Sequence, residues 1–243
     1  MIIFNQLYGR LGNNIIQLSN IIDIALEYKH NIKINVKKLQ FFDLSIIKDY
    51  FSKYNNSEII TDEYNFFYKN KLPFSHETFI NHIDERNKLL NKAFLLKDIP
   101  KLDENDLVIH IRSGDVFLAR PHPDYVPPPL SYYTGEIDRY NYRKIHIVCE
   151  DDKNPVVNRL LGLYKNAIYE KNNLDIDIKK ILGATNILYS IGTFIPSLML
   201  FSKNINFIHD TFNSIEYDKI MRPWKNTPEQ RDYILKFDYK YIK

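Results

Sequence analysis

From Asp106 onward the chain repeats one pattern: a short apolar run, a turn, then a stretch with helical spacing. Leu107-Val-Ile-His-Ile111 and Ile145-His-Ile-Val-Cys149 are runs of strand length, and Asn186-Ile-Leu-Tyr-Ser190 and Ile205-Asn-Phe-Ile208 follow. Helical spacing fills the gaps near Ser131 to Tyr140, Pro155 to Leu163, Asp177 to Gly183 and Pro196 to Phe201. Near-continuous apolar strands are buried on both faces, and strands that alternate with helices build a parallel sheet with helices on either side. In such a sheet the loops at the carboxyl ends of the strands hold the ligand.

The N-terminal part follows the same rule. Ile2-Ile3-Phe4 is apolar, and the turn Tyr8-Gly9-Arg10-Leu11-Gly12 follows it. Ile15, Ile16, Leu18, Ile21, Ile22, Ala25 and Leu26 then recur at helical spacing up to about His30, and Ile32 to Val36 reads as the next strand. Residues 37–76, polar and aromatic, read as mostly irregular. Glu77 to Leu95 reads as a helix, and Lys97 to Asn105 as a linker punctuated by Pro100. The expected fold class is α/β, with two Rossmann-like domains facing across a cleft. The expected boundaries are 1–102 for an acceptor-side domain and 103–225 for a donor-binding domain. A C-terminal segment, 226–243, is expected to pack back on the N-terminal domain. With 243 residues there is material for a sizeable core either way.

Charge and cysteine content narrow the partners. The net charge of +3 suits an anionic small ligand and lacks the strong, clustered excess of a nucleic-acid binder. The single cysteine, Cys149, rules out an intrachain disulfide and a cysteine-based zinc site. That agrees with a reducing, cytoplasmic compartment. The opening residues lack the basic and apolar regions of a signal peptide. The most apolar stretch, Ile187 to Phe201, is interrupted by Ser, Gly and Pro and is too polar to span a bilayer.

Three loops carry candidate chemistry. Gly9-Arg10-Leu11-Gly12-Asn13-Asn14 stands between a strand and a long helix, where unpaired N–H groups can meet an anion. It reads either as a ligand loop, with Arg10 adding a guanidinium, or as a tight turn with an asparagine cap. It matches neither the Walker A loop nor the dinucleotide fingerprint, so a nicotinamide-dependent dehydrogenase is not supported. At the end of the run 107–111, His110 and Arg112 alternate to one side, and Ser113-Gly114-Asp115 turns away. A planar, permanently charged Arg can fork onto a pyrophosphate. Asp115 can take a proton from an acceptor hydroxyl, orient Arg112, or form a plain ion pair with it. The third loop, Ile191-Gly192-Thr193-Phe194, lies at a helix start, with Phe194 placed to meet a base or sugar or simply to fill the core. Glu150, Asp151 and Asp152 end the preceding strand run and read as substrate contacts or as a solvated loop.

Gly-Arg-Leu-Gly-Asn, His-x-Arg-x-Gly-Asp, a strand ending in an Asp-Asp pair and a Gly-Thr-Phe turn occur here in that order. Together they resemble the GDP-fucose-dependent fucosyltransferases of the α-1,2 type (glycosyltransferase family 11), kin to the α-1,6 and protein O-fucosyltransferases. The resemblance implies a GT-B fold and an inverting transfer of fucose from GDP-fucose to a glycan hydroxyl, without a metal or other cofactor. By motif position it makes Arg112 the residue that neutralises the leaving GDP, supported by His110. Arg10, Gly12 and Asn13 approach the donor, and Asn13 joins Arg112 and Asp115 in the catalytic set. Thr193 and Phe194 line the pyrophosphate and nucleoside pocket. Asp177 meets guanine or ribose, with Asp175 as the competing assignment. Asp115 is the first choice of base, with an acid from the N-terminal domain as the alternative. Ser113 stands where these enzymes usually carry a second Arg, and His122-Pro-Asp-Tyr-Val-Pro-Pro-Pro is longer and richer in proline than that loop normally is.

Two other readings belong to the same fold: a transferase using another nucleotide sugar, and a catalytically silent nucleotide- or glycan-binding module. The location implied is the cytoplasm of a bacterial or viral type, without a Golgi anchor. Trp224 is expected to anchor the C-terminal segment at the surface. The basic, aromatic tail from Arg231 either touches a membrane peripherally or, more simply, docks as a helix on the N-terminal domain.

Overall fold

The computed structural model describes residues 1–56, 58–62, 65–71, 75, 77–208 and 212–239. Two compact units emerge. The first comprises Met1–Asp98 together with Pro196–Phe201, and the second comprises Ile99–Ile195 together with the chain from Ser202 on.

In the first unit β1 (Ile2–Phe4) pairs in parallel with β2 (Ile32–Ile34), with Ile2 opposite Ile32. The connection is α1 (Leu11–Tyr28), so the β-loop-α-β reading of the first 36 residues holds. One side of α1 buries Ile15, Leu18, Ile22 and Ala25. A second buried stripe is polar: Asn14, Gln17, Asn20 and Asp23 recur every third residue and so share a face. These side chains satisfy backbone groups that irregular segments would otherwise bury unpaired. Gln17 accepts from the Tyr8 N–H at 2.8 Å and donates to the carbonyls of Gln6 and Asn65, and Asn20 donates to Phe66 O at 2.7 Å. At the end of the stripe Arg86, on α3 (Ile83–Ala93), donates to Asp23 Oδ2 at 2.8 Å. Asp23 is fully buried, and its Oδ1 has no hydrogen-bond partner among the described residues. Burial outweighs the guanidinium and pushes this carboxyl up to about 6.

Residues 37–76 are less irregular than the sequence suggests. They include α2 (Leu44–Phe51), started by Asp43, whose carboxylate accepts from the Ser45 N–H at 3.0 Å. Only Ile47 and Phe51 of α2 are buried, too sparse a pattern to reveal a helix. The helix read over 77–95 is shorter, because a 3-10 turn (Glu77–Phe79) precedes α3. Phe201 closes this unit by stacking on Phe94 at 4.4 Å and meeting Phe42 edge-on at 5.7 Å.

The second unit is built on a five-stranded parallel sheet: β3 (Asp106–Ile111), β4 (Lys144–Cys149), β5 (Ala167–Tyr169), β6 (Asn186–Tyr189) and β7 (Phe207–Ile208). Their spatial order is β5-β4-β3-β6-β7, and Ile109 lies opposite both Ile147 and Leu188. The connections are α4 (Leu130–Ile137), α5 (Pro155–Leu163), α6 (Leu174–Gly183) and α7 (Phe194–Leu198), of which α7 passes into the first unit at Pro196. The chain walks outward from β3 to β5 and then returns to the other side of β3. This reversal leaves a crevice between the carboxyl ends of β3 and β6, the switch point at which open α/β sheets take their ligands.

Two further helices, α8 (Ile215–Met221) and α9 (Pro228–Lys236), complete the second unit. A reciprocal capping box between Thr227 and Gln230 starts α9, which packs on α4 and α5. The C-terminal segment was expected on the N-terminal domain. Its described part instead finds its partners in this unit: Phe237 packs on Tyr217, and Tyr239 meets Tyr132 and Phe212. Trp224 is no surface anchor either. It is 1% exposed, and its indole N–H donates to Val116 O at 2.7 Å. Buried aromatic area of this size is retained only where the polar end finds a partner, as it does here. Among the described residues no helix is long and apolar enough to cross a membrane.

Candidate functional site

The crevice is assembled from three strand ends. Where β3 stops, the backbone of residues 112–114 is clamped to the end of β4. Asn154 donates its side-chain amide to Arg112 O at 3.1 Å, while its N–H donates to Ser113 Oγ at 3.1 Å. The same side chain caps α5 by accepting from the Val156 N–H. Ser113 is buried and its hydroxyl donates to Asp151 Oδ1. Burial alone would raise the Asp151 carboxyl. Hydrogen bonds from Ser113, from Lys153 and from the Gly114 N–H outweigh it and hold the group at about 2. Asp151 is therefore an internal clamp, neither the substrate contact nor the solvated loop residue that the sequence left open. Cys149 is buried beside it, with a thiol pushed up to about 12 by that burial, which suits a packing role and not a nucleophile.

Arg112 projects from this clamp. Its Nη2 donates to Asp115 Oδ2 at 3.0 Å and its Nε to Oδ1 at 3.4 Å. The guanidinium carbon lies 4.0 Å from the centre of the Tyr125 ring. The third neighbour is Gly192, in the turn after β6. Gly192 has φ of +98°, and a Cβ built there would lie 2.5 Å from Arg112 Nη1. Glycine at 192 thus satisfies two demands, a left-handed backbone and a close approach of the guanidinium. The Arg112 side chain is 16% exposed and that of Asp115 41%. Gly114, also left-handed at +56°, lies under the carboxylate of Glu150, so a side chain there would be strained and would have to displace Glu150.

The remaining candidates divide between the units. His110, Thr193 and Phe194 lie at the same strand ends as Arg112. The His110 ring is 5.3 Å from that of Phe194, and His110 O accepts from the Ser190 N–H at 2.9 Å. Phe194 opens α7, which has five residues. Asp177 sits in the first turn of α6, buried, accepting from Asn172 at 3.3 Å, and burial raises its carboxyl. Asp175, the competing acid, is half-exposed. Arg10, Gly12 and Asn13 belong to the first unit. Arg10 is the exposed N-cap of α1 and makes no side-chain cap bond, Gly12 is buried in the first turn, and the Asn13 amide lies over Gly9. The alternative of an asparagine cap does not hold, because Arg10 occupies the N-cap position and both asparagines lie inside α1, where Asn14 donates to Tyr8 O at 3.0 Å.

Sequence reasoning missed Tyr125, Gly192 as a partner of Arg112, and the Asn154–Asp151 clamp. Only Asn154 carried a local signal, as an Asn-Pro helix start. An open depression of about 540 Å³, lined by Ile137, Asp138, Tyr140, Tyr142 and Asn166, lies at the amino-terminal edge of the sheet. It is the wrong edge for a ligand in this architecture, so the crevice, not the depression, is the candidate site. Among the described residues no group of three or more His, Cys, Asp and Glu is arranged to hold a metal ion.

A crystal structure of POFUT1 in complex with GDP superposes with a TM-score of 0.50, covering 88% of this chain and 98% of that one at 7% identity. The fold resembles that of POFUT1. At that identity the likeness concerns the fold, a mixed α/β architecture with parallel sheets. No family model and no curated protein matches the chain by sequence.

Proposed function

We propose that the chain is a glycosyltransferase that moves fucose from GDP-fucose to a hydroxyl of a glycan acceptor, with inversion, without a metal, and with α-1,2 as the linkage. The observation that carries the reading is Arg112, presented at the switch-point crevice of a fold that POFUT1, solved with GDP, also has.

The chemistry follows from charge. Breaking the bond between sugar and diphosphate builds negative charge on the departing GDP. A fixed cation there stabilises the transition state more than the ground state. Arg112 is held in place before any ligand arrives, so little reorganisation is needed. Its present partner is replaceable: with Asp115 41% exposed, the ion pair contributes at most about 1 kcal/mol. A diphosphate carries more charge than one carboxylate and can take over the guanidinium edge. Asp115, released from that fork, becomes the base that accepts the acceptor's proton. His110 supports the phosphate side, Thr193 and Phe194 line the nucleotide pocket, and Asp177 meets the guanine or ribose. Arg10, Gly12 and Asn13 are assigned to the substrates by motif alone, and the GT-B organisation is part of the same reading.

Isothermal titration with GDP, GDP-fucose, GDP-mannose and UDP, with EDTA present, is the direct test. Micromolar binding of GDP and GDP-fucose with UDP silent supports the donor assignment and opens the search for an acceptor. Silence toward every guanine nucleotide overturns it.

A further inference from the structure

We propose that Tyr125 is a positioning residue for Arg112, and that the proline-rich segment from His122 to Pro129 is built to present it. The inference rests on the reading of Arg112 as the cation that meets the donor's diphosphate. A long, flexible side chain must keep its orientation when one anion replaces another. Asp115 cannot provide that, because on the proposed reading it gives up the Nε and Nη2 donors it now holds to the phosphate oxygens. An aromatic face can. The guanidinium carbon lies 4.0 Å from the centre of the Tyr125 ring, and attraction to a ring face holds a cation without supplying a lone pair that must later be exchanged for a phosphate oxygen.

The platform is itself fixed from behind. The Tyr125 N–H donates to His122 O at 3.2 Å, and the Trp224 N–H donates to Pro123 O at 2.9 Å. The His122 ring lies 4.7 Å from that of Tyr125, Val126 is buried, and Tyr217 donates its hydroxyl to Pro127 O at 2.8 Å. Pro127, Pro128 and Pro129 restrict the backbone that follows, and Pro129 caps α4. Gly192 completes the cradle by leaving room for Nη1.

The test compares Y125F, which keeps the ring, with Y125L, which keeps bulk without it. In the ligand-free protein the NMR signal of the Arg112 guanidinium, assigned with R112K, is expected to carry a ring-current shift in wild type and Y125F that Y125L loses. In titrations Y125F is expected to bind GDP within about twofold of wild type, and Y125L roughly threefold to thirtyfold more weakly. In the R112K background the Y125L loss should largely vanish, since the two residues act as one device. Wild-type affinity in Y125L, equal losses in Y125F and Y125L, or additive losses in the double variant would each overturn the positioning role. If wild type binds no GDP, the proposed function fails, and the ring-current shift still decides whether Tyr125 holds Arg112.

Discussion

Asp23 offers a test in which two physical effects oppose each other and the structure says which wins. Its carboxyl is fully buried, one oxygen is bonded to Arg86 and the other is not bonded to any described residue. The ion pair favours the charged form and burial favours the neutral one, and burial prevails, raising the group from 3.8 to about 6. Oδ1 is the oxygen placed to take the proton. The folded state therefore binds a proton near pH 6 that the unfolded chain takes up only near pH 3.8. Between those values the folded state holds more protons, so folding strengthens as the pH falls through the window and weakens as it rises. At about 1.4 kcal/mol per pH unit, the gain between pH 7 and pH 4 is roughly 2 to 3 kcal/mol. Asp23→Asn removes the titration and leaves the shape. Its absolute stability also reflects an Arg86 without a counter-ion, so the quantity to read is the wild-type minus variant difference against pH. Urea unfolding followed by circular dichroism suits this, because the one tryptophan, Trp224, belongs to the other unit and would report the wrong transition. A difference that is flat from pH 7 to pH 4 refutes the reasoning. A difference that moves against wild type on acidification would mean that Arg86, not burial, sets the state of Asp23.

Three other perturbations address the crevice. Arg112→Ala is expected to abolish transfer and to weaken GDP binding by roughly 2–4 kcal/mol, the size typical of losing a charged clamp; titration and a GDP-release assay check both parts. Asp115→Asn should lower turnover sharply while GDP affinity changes less than about fivefold, because the pair it leaves contributes at most about 1 kcal/mol. Asp151→Asn should lower stability at pH 7 by about 1–2 kcal/mol, read by urea unfolding, since the amide oxygen keeps part of the hydrogen bonding. The Asp151 carboxyl is depressed, so its contribution is present above pH 3.8 and is lost as the pH falls through about 2, and the variant's deficit should shrink over that interval.

What was legible in the sequence follows from where the information is stored. β3 could be read from Leu107 to Ile111 because both faces are buried and every side chain but one is apolar. β5 could not, because Ala167–Tyr169 is a half-exposed edge strand of three residues between the polar Asn166 and Glu170, too short for its apolar run to stand out. Arg112 and Asp115 were visible as a pair because they are three residues apart on one turn. Tyr125 and Gly192 reach the same guanidinium from separate loops, and nothing local marks either as its neighbour. The clamp role of Asp151 is hidden for a related reason. A carboxylate at a strand end looks the same in sequence whether it faces a substrate or a buried serine hydroxyl. The C-terminal segment was misplaced because its apolar residues announce that they will be buried without saying against what.

The six residues Pro196–Phe201 make the first unit discontinuous in sequence. No single cut in the gene yields both halves intact. A fragment ending at Asp98 would expose Phe42 and Phe94 where Phe201 should cover them, inviting aggregation. A fragment beginning at Ile99 would carry the orphaned Phe201 instead. Dissection of this protein into separately expressed parts therefore calls for a graft, with the 196–201 segment tethered back onto the first unit and a short linker closing the gap it leaves in the second.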